Sequence, residues 1–291
     1  MTEQAHLDDD HAFELERREL ENERTEFGNR SGATGRGSKG VCMVNSALVW
    51  RGVSALDSVS PIIAVVTGID GGSNNPKTGP MAQLWILRED IAPTAAVANG
   101  SDAAVCGDCG LRGVDGKNRG CYVAVKNAPL AVWHKYQRGG YVELAPEIVA
   151  LDLRANGIRL RLGAYGDPAA LPVWLLDNLT SVIAGHTGYT HAWRTRPELA
   201  RYVMASADSP ADVAHAHALG FRTFRTRAPE QPLLPDEISC PAADESGKRT
   251  TCERCNLCDG SRVNDRRRSV AILAHGTTTV HALAFIRRIA A

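Results

Sequence analysis

Seven of the eight cysteines in this 291-residue chain stand in two short segments. The first segment holds Cys106, Cys109 and Cys121, and the second holds Cys240, Cys252, Cys255 and Cys258. Their spacings, C-x2-C-x11-C and C-x11-C-x2-C-x2-C, are close to mirror images. A Cys-x2-Cys pair brings two thiolates within reach of one metal centre. Any fold of this chain must therefore arrange these segments, the first and second cysteine groups, around one or two thiolate-bound metal sites.

The number of thiols in each group leaves the identity of the metal open. The second group has four, which fill a tetrahedral zinc site or bind one 4Fe–4S cluster. The first group has three, so a cluster bound there keeps one iron open for a substrate or cofactor. Three cysteines together with a histidine or the adjacent Asp108 would instead close a structural zinc site. We predict one or two iron–sulfur clusters, because the Cys-x2-Cys-x2-Cys run is typical of cubane clusters, with zinc as the alternative.

The ends and the hydropathy of the chain predict a cytoplasmic protein. The N-terminus is charged and lacks the apolar core of a signal peptide. No apolar run approaches the roughly 20 residues that span a bilayer, so we expect no membrane partner. In a reducing cytoplasm, clustered cysteines indicate metal ligands, and disulfides are the alternative interpretation.

Residues 1–42 differ in composition from the rest of the chain. The run HLDDDHAFELERRELENERTEF is charged and helix-prone, with few apolar positions, and GNRSGATGRGSKG after it has the composition of a linker. The sequence therefore predicts a charged, flexible arm over 1–42 and a single α/β metal-binding domain over 43–291. Cys42, the eighth cysteine, has no predicted role.

Beyond the predicted arm, β-rich runs alternate with helical ones. Segments 62–67, 121–125 and 158–163 have strand composition, whereas 145–156 and 210–219 repeat apolar residues every three or four positions. Strands followed by helices indicate a parallel sheet with both faces covered. The predicted fold class is α/β, with a partial or complete (β/α) barrel-like parallel sheet and cysteine-rich metal-binding loops.

Polar residues follow several predicted strands, where the active sites of such folds lie. Asp167, His191 and Asp208 are the candidate catalytic residues. The candidate cofactor-binding residues at these strand ends are Tyr165, Gly166 and Ser206. The alternative interpretation is structural, since an aspartate before proline forms turns and Asp208–Ser209–Pro210 is typical of a helix cap.

Two further segments offer binding groups. GIDGGSNNPKTG, residues 68–79, is not a P-loop because Pro76 stands where glycine is required, but Lys77 remains available for a cofactor, substrate or phosphate. A basic run surrounds the second cysteine group and comprises Lys248, Arg249, Arg254, Arg262, Arg266, Arg267 and Arg268. It predicts either a solvated surface or phosphate contacts with nucleic acid. The chain as a whole has 33 basic and 33 acidic residues, which argues against a general nucleic-acid coat.

Several motifs of the chain resemble a cysteine-rich protein family of actinobacterial phages and prophages. They are NPKTGPM, CGDC with RGCYV, LGAYGDP, GYTHAW, MASADS and CPA with TTCERCNLC. They are also similar, more distantly, to the phage gene-product-88-like family and to radical-SAM enzymes. The resemblance covers residues from 43 to the C-terminus. It implies a partial or complete barrel with a cluster near its mouth, bound by the first cysteine group, and an auxiliary cluster bound by the second. The spacing differs from the radical-SAM signature Cys-x3-Cys-x2-Cys, which leaves the use of S-adenosylmethionine open.

From these features we predict a phage-type iron–sulfur protein, a radical-SAM-like enzyme located in the host cytoplasm. Its partner would be a small-molecule or nucleotide substrate, or a nucleic acid that it modifies. The alternative is a zinc-stabilised module that binds nucleic acid or a host protein without catalysis.

Overall fold

A computed structural model of the chain describes residues 44–113, 117–276 and 278–290. Eleven strands lie within these residues. The predicted arm over 1–42 lies outside these residues. Asn45–Ala291 makes up one compact unit. No helix within the described residues is long and apolar enough to cross a membrane.

Strands and helices alternate over most of the described chain. The strands are β1 (Ser46–Val53), β2 (Pro61–Thr67), β3 (Ala82–Arg88), β4 (Val142–Glu143), β5 (Leu160–Tyr165), β6 (His186–Thr187), β7 (Tyr189–Thr190), β8 (Met204–Ala207), β9 (Thr223–Arg227), β10 (Glu237–Ser239) and β11 (Ser269–Leu273). The helices are α1 (Pro93–Asn99), α2 (Ala103–Cys106), α3 (Ala128–Gln137), α4 (Pro146–Ala155), α5 (Val173–Thr180), α6 (Pro210–Ala218), α7 (Cys252–Cys255) and α8 (Thr279–Ala290).

The strands form two sheets. The six-stranded sheet has the order β4-β1-β2-β3-β5-β6, and the five-stranded sheet has the order β10-β11-β9-β8-β7. The pairs of β2 with β1 and β3 are antiparallel, whereas β3, β5 and β6 are parallel, as are all pairs of the second sheet. Since only Gly188 separates β6 from β7, the chain passes there from one sheet to the next.

The predicted α/β class with parallel strands is confirmed, but a complete barrel is not formed. In the described part of the chain neither sheet closes on itself, and each ends in short strands of two or three residues. The predicted strand over 121–125 is also wrong. Both Gly120 and Cys121 donate their N–H groups to the Leu111 carbonyl, at 2.9 and 2.8 Å, so this segment closes a loop instead of joining a sheet.

Apolar runs without alternation lie where both faces of a sheet are covered. The side chains of Ile62 to Val66 in β2 are all 0% exposed, and residues of α4 and α5 pack in the same core. A smaller apolar cluster includes Met204, Val270, Cys240 and Cys258. Two of the predicted metal ligands are therefore part of the packed interior.

A buried ion pair links two strands of the five-stranded sheet, one of which, β10, leads directly into Cys240. Arg225 in β9 donates through Nε and Nη2 to the two carboxylate oxygens of Glu237 in β10, at 2.7 and 2.6 Å. The side chains are 2% and 0% exposed. Such a bidentate pair holds β9 and β10 at a fixed separation across β11.

The cap predicted at Asp208–Ser209–Pro210 is confirmed. The Ser209 side chain accepts from the Asp212 N–H, and the Asp212 carboxylate accepts from the Ser209 N–H, which forms a capping box with Pro210 in the first turn of α6. Asp208 therefore lies just before the helix, at the end of β8.

Candidate functional site

A cavity of about 440 Å³ lies beyond the carboxyl ends of the parallel strands. Residues that follow β5, β7, β8 and β11 line it, as expected for a sheet of this kind. All seven grouped cysteines are among the lining residues: Cys106, Cys109, Cys121, Cys240, Cys252, Cys255 and Cys258. The fold therefore brings both cysteine groups, which are distant in sequence, to one cavity.

The first cysteine group spans a short helix and the loop after it. Cys106 ends α2, and the N–H of Cys109 donates to its carbonyl at 3.4 Å. Burial raises the pKa of the Cys106 thiol well above its ordinary value, and the neighbouring Cys109 and Cys121 raise it further. The Cys109 side chain thus lies close to the thiols of both Cys106 and Cys121.

Asp102, which the sequence analysis did not select, anchors this loop. Its side chain is 1% exposed and lies 2.8 Å from Arg112 Nη1 and 3.8 Å from Arg119 Nη1. Burial raises the pKa of Asp102, and the two arginines oppose this rise. Both loop arginines are therefore engaged by a protein carboxylate.

The C-terminal helix α8 packs directly on the first cysteine group. A Cβ on Gly110 would lie 2.1 Å from the ring of Phe285, and one on Gly120 would lie 2.9 Å from the Cα of Ala282. Thr278, just before the helix, donates to the Gly120 carbonyl at 3.1 Å. Glycine at both positions lets the helix approach the loop backbone.

We expect Gly120→Ala to push α8 away from the first cysteine group, because the new methyl would meet helix backbone. Overpacking of this kind costs about 1–3 kcal/mol. Gly71→Ala is the matched control, since a Cβ there meets nothing within 4 Å. Thermal unfolding of both variants measures the effect, and equal melting temperatures would contradict the proposed contact.

The second cysteine group forms one helical turn followed by a reversal. Thr251 caps α7, and the Cys252 N–H donates to the carbonyl of Lys77 at 3.1 Å. Asn256 adopts the left-handed conformation with φ of 46°, which turns the chain so that Cys258 follows on the cavity wall. Burial raises the pKa of the Cys258 thiol, as it does that of Cys240.

A buried arginine holds this reversal in place. Arg222 is 4% exposed and donates to the carbonyls of Leu257 at 2.7 Å, Gly260 at 3.2 Å and Arg268 at 2.8 Å. Its Nη1 also lies 3.7 Å from Asp259 Oδ1. The loop that carries Cys258 thus has its carbonyls satisfied by one guanidinium, a role that the sequence pattern did not indicate.

The three candidate catalytic residues lie together beside the first cysteine group. Asp167 accepts from the N–H groups of Ala169 at 2.9 Å and His191 at 2.8 Å, so its carboxylate joins the end of β5 to the His191 loop. Nε2 of His191 lies 3.6 Å from Asp208 Oδ1. Burial lowers the pKa of His191, but Cys109 and Asp208 outweigh it and raise the value well above the ordinary one.

The predicted cofactor-binding residues at the strand ends also line the cavity. The Tyr165 hydroxyl is buried and has no hydrogen-bond partner in the described part of the chain. Gly166 has a φ of 84°, and a Cβ there would meet the Ile86 carbonyl at 2.6 Å, so this glycine is required by the backbone. The Ser206 backbone carbonyl accepts from Trp193 Nε1 at 3.0 Å, and this contact does not involve the Ser206 hydroxyl.

The grouped cysteines are the donor type that zinc and iron–sulfur clusters take, but the described side chains are not drawn together as a formed metal site. All seven grouped cysteines carry free thiols. Across the described ranges no three His, Cys, Asp or Glu side chains are grouped closely enough to hold a metal ion. Burial raises the pKa of Cys106, Cys121, Cys240, Cys252 and Cys258, so these thiols are neutral and a bound metal group must displace their protons.

Much of the basic run around the second cysteine group is engaged within the protein. Arg267 pairs with Asp259 and, at 2.6 Å, with Asp265, while Arg262 lies 3.0 Å from Asp259. Arg268 donates to the carbonyls of Pro235 and Glu237. The remaining basic residues of the run are exposed, as are Arg262 and Arg268; they are Lys248, Arg249, Arg254 and Arg266.

Comparison with models of protein families, with curated proteins and with solved structures found no match. The fold and the cavity define a mixed α/β protein in which two cysteine groups meet at the carboxyl ends of parallel strands.

Proposed function

We propose that the protein is an iron–sulfur enzyme of radical-SAM-like type that acts on a small molecule or nucleotide in the cysteine-lined cavity. One observation carries the proposal: all seven grouped cysteines line the same cavity as Asp167, His191 and Asp208. A structural metal site stabilises a loop and needs no cavity beside it. Two cysteine groups facing a space of about 440 Å³, within the range of ligand pockets, favour a reaction there.

The two groups have different capacities as ligands. Cys106, Cys109 and Cys121 would hold a cluster with one iron free of protein thiolates, whereas the four cysteines of the second group would satisfy an auxiliary cluster completely. When bound, a cluster with an open iron supplies one-electron reduction to a ligand beside it. S-adenosylmethionine is the candidate co-substrate at that position, beside Tyr165 and Ser206.

The chain's own residues supply orientation and proton handling. His191, whose Nε2 is buried and lacks a hydrogen-bond partner among the described residues, can hold a proton next to Asp208. The unpartnered hydroxyl of Tyr165 can donate to a ligand in the cavity. Asp167 binds two backbone N–H groups and so positions His191.

Metal content and visible absorption of protein purified without oxygen test this proposal. We expect brown protein with broad visible absorption that dithionite bleaches, and about four iron atoms for each bound cluster. Colourless protein with stoichiometric zinc would contradict it and favour the alternative of a zinc-stabilised binding module, whose nucleic-acid affinity would fall steeply with salt.

A further inference from the structure

A group of nitrogen-bearing side chains at the cavity, two of them cationic, has no part in the proposed function. Lys77 lies in the loop between β2 and β3, Arg161 in β5, and His275 just after β11. All three line the cavity together with Tyr122. Three separate elements thus bring nitrogen donors to one wall.

Hydrogen bonds fix the histidine and the lysine relative to each other. His275 Nδ1 lies 2.9 Å from the Leu273 carbonyl, so Nδ1 carries the proton and Nε2 is an acceptor. Lys77 Nζ lies 2.8 Å from that Nε2 and donates to it. The ammonium therefore keeps two of its three N–H donors for another partner.

Arg161 joins the same group through Tyr122. Its Nη2 donates to the Tyr122 hydroxyl at 2.6 Å, and the Tyr122 ring stacks on that of His275 with centroids 6.2 Å apart. A guanidinium has five N–H donors, so most of those on Arg161 remain available.

The nearby carboxylates are engaged elsewhere. Glu253 pairs with Arg159 at 3.3 Å, and Glu245 accepts from the Leu273 N–H at 3.0 Å. Within the described residues, neither Lys77 nor Arg161 forms an ion pair with a carboxylate. Two positive charges on the wall of a cavity, with spare donors, attract an anion.

We propose that Lys77, Arg161 and His275 form an anion subsite that takes the phosphate group of a phosphorylated small molecule. A phosphate monoester carries about −1.5 to −2 charges at neutral pH, which matches the two cations better than one carboxylate does. The inference rests on the proposed function in that this phosphate belongs to the substrate of the same cavity. The subsite lies beside the second cysteine group, since the Cys252 N–H donates a hydrogen bond to the Lys77 carbonyl.

Equilibrium dialysis against inorganic phosphate tests the subsite, with acetate in parallel as the carboxylate probe and iron measured in every sample. We expect Lys77→Gln and Arg161→Gln each to weaken phosphate binding about tenfold or more, because each removes a charge-assisted hydrogen bond. Lys77→Arg should retain binding. Arg51→Gln is the control, because Arg51 lies over Tyr136 in a separate cavity.

The outcomes separate this inference from the proposed function. Loss of phosphate binding in the two glutamine variants with unchanged iron supports the subsite. Loss of that binding in protein that contains no iron supports the subsite and contradicts the proposed function. Unchanged phosphate binding in the two glutamine variants overturns the inference. If these variants also lose iron, the role of the two cations is to balance the charge of the cysteine thiolates. Acetate binding as tight as that of phosphate overturns the assignment to phosphate.

Discussion

Cys109→Ala is expected to remove the iron of the first cysteine group and to leave the second group loaded. A cluster at the first group has only three protein thiolates, so loss of one leaves two ligands and the cluster is not retained. Cys255→Ala is expected to give the reverse pattern. With a cluster in each group, each variant retains about half of the wild-type iron, measured with acid-labile sulfide and visible absorption.

Cys42→Ala is the matched control, because Cys42 belongs to neither group and should not change the iron content. Thermal unfolding shows whether each variant folds. Unchanged iron in Cys109→Ala would contradict the first group as a cluster site. Complete loss of iron in both Cys109→Ala and Cys255→Ala would contradict two separate clusters and indicate one shared site.

Arg225→Met is expected to lower the free energy of unfolding by about 3–5 kcal/mol, the usual cost of leaving one member of a buried ion pair without its partner. Glu237 is 0% exposed, and among the described residues its carboxylate would keep only the Leu234 N–H, at 2.8 Å. Urea unfolding with linear extrapolation measures the change. Because β10 leads directly into Cys240, we also expect the second group to retain less iron.

The double variant Arg225→Met with Glu237→Leu tests the physical reason. Removing both charges leaves no buried carboxylate unpaired, so most of the lost stability should return. Arg287→Met is the exposed control, since its pair with Glu230 is more than half exposed and should contribute little. A single variant Arg225→Met as stable as the wild type would contradict the structural role of the pair.

Local sequence patterns predicted the elements well where neighbours along the chain determine the structure. The strand prediction over 62–67 and the helix prediction over 145–156 correspond to β2 and α4. The cap at Ser209 was also correct, because a capping box involves four consecutive residues. The strand predicted over 121–125 is not formed, and the Cys121 N–H donates to the Leu111 carbonyl of the cysteine loop instead, a competition that composition does not reveal.

Candidate site residues were predictable only where strand ends and cysteine spacing identified them. No local sequence pattern indicates Asp102 or Arg222, because each is an isolated charged residue outside any motif. Each nevertheless holds one cysteine group in place. The engagement of Arg112 and Arg119 by the buried Asp102 carboxylate likewise follows from no local pattern.

The sequence by itself determined that the chain carries two cysteine groups with metal-ligand spacing and that strands alternate with helices, because both features depend on residues close along the chain. Only the tertiary structure decided that both groups line one cavity, with Lys77, Arg161 and His275 on its wall. That convergence depends on the order and direction of the strands. Parallel pairing from β3 onwards brings the loops at their carboxyl ends to the same side, whatever their separation in sequence.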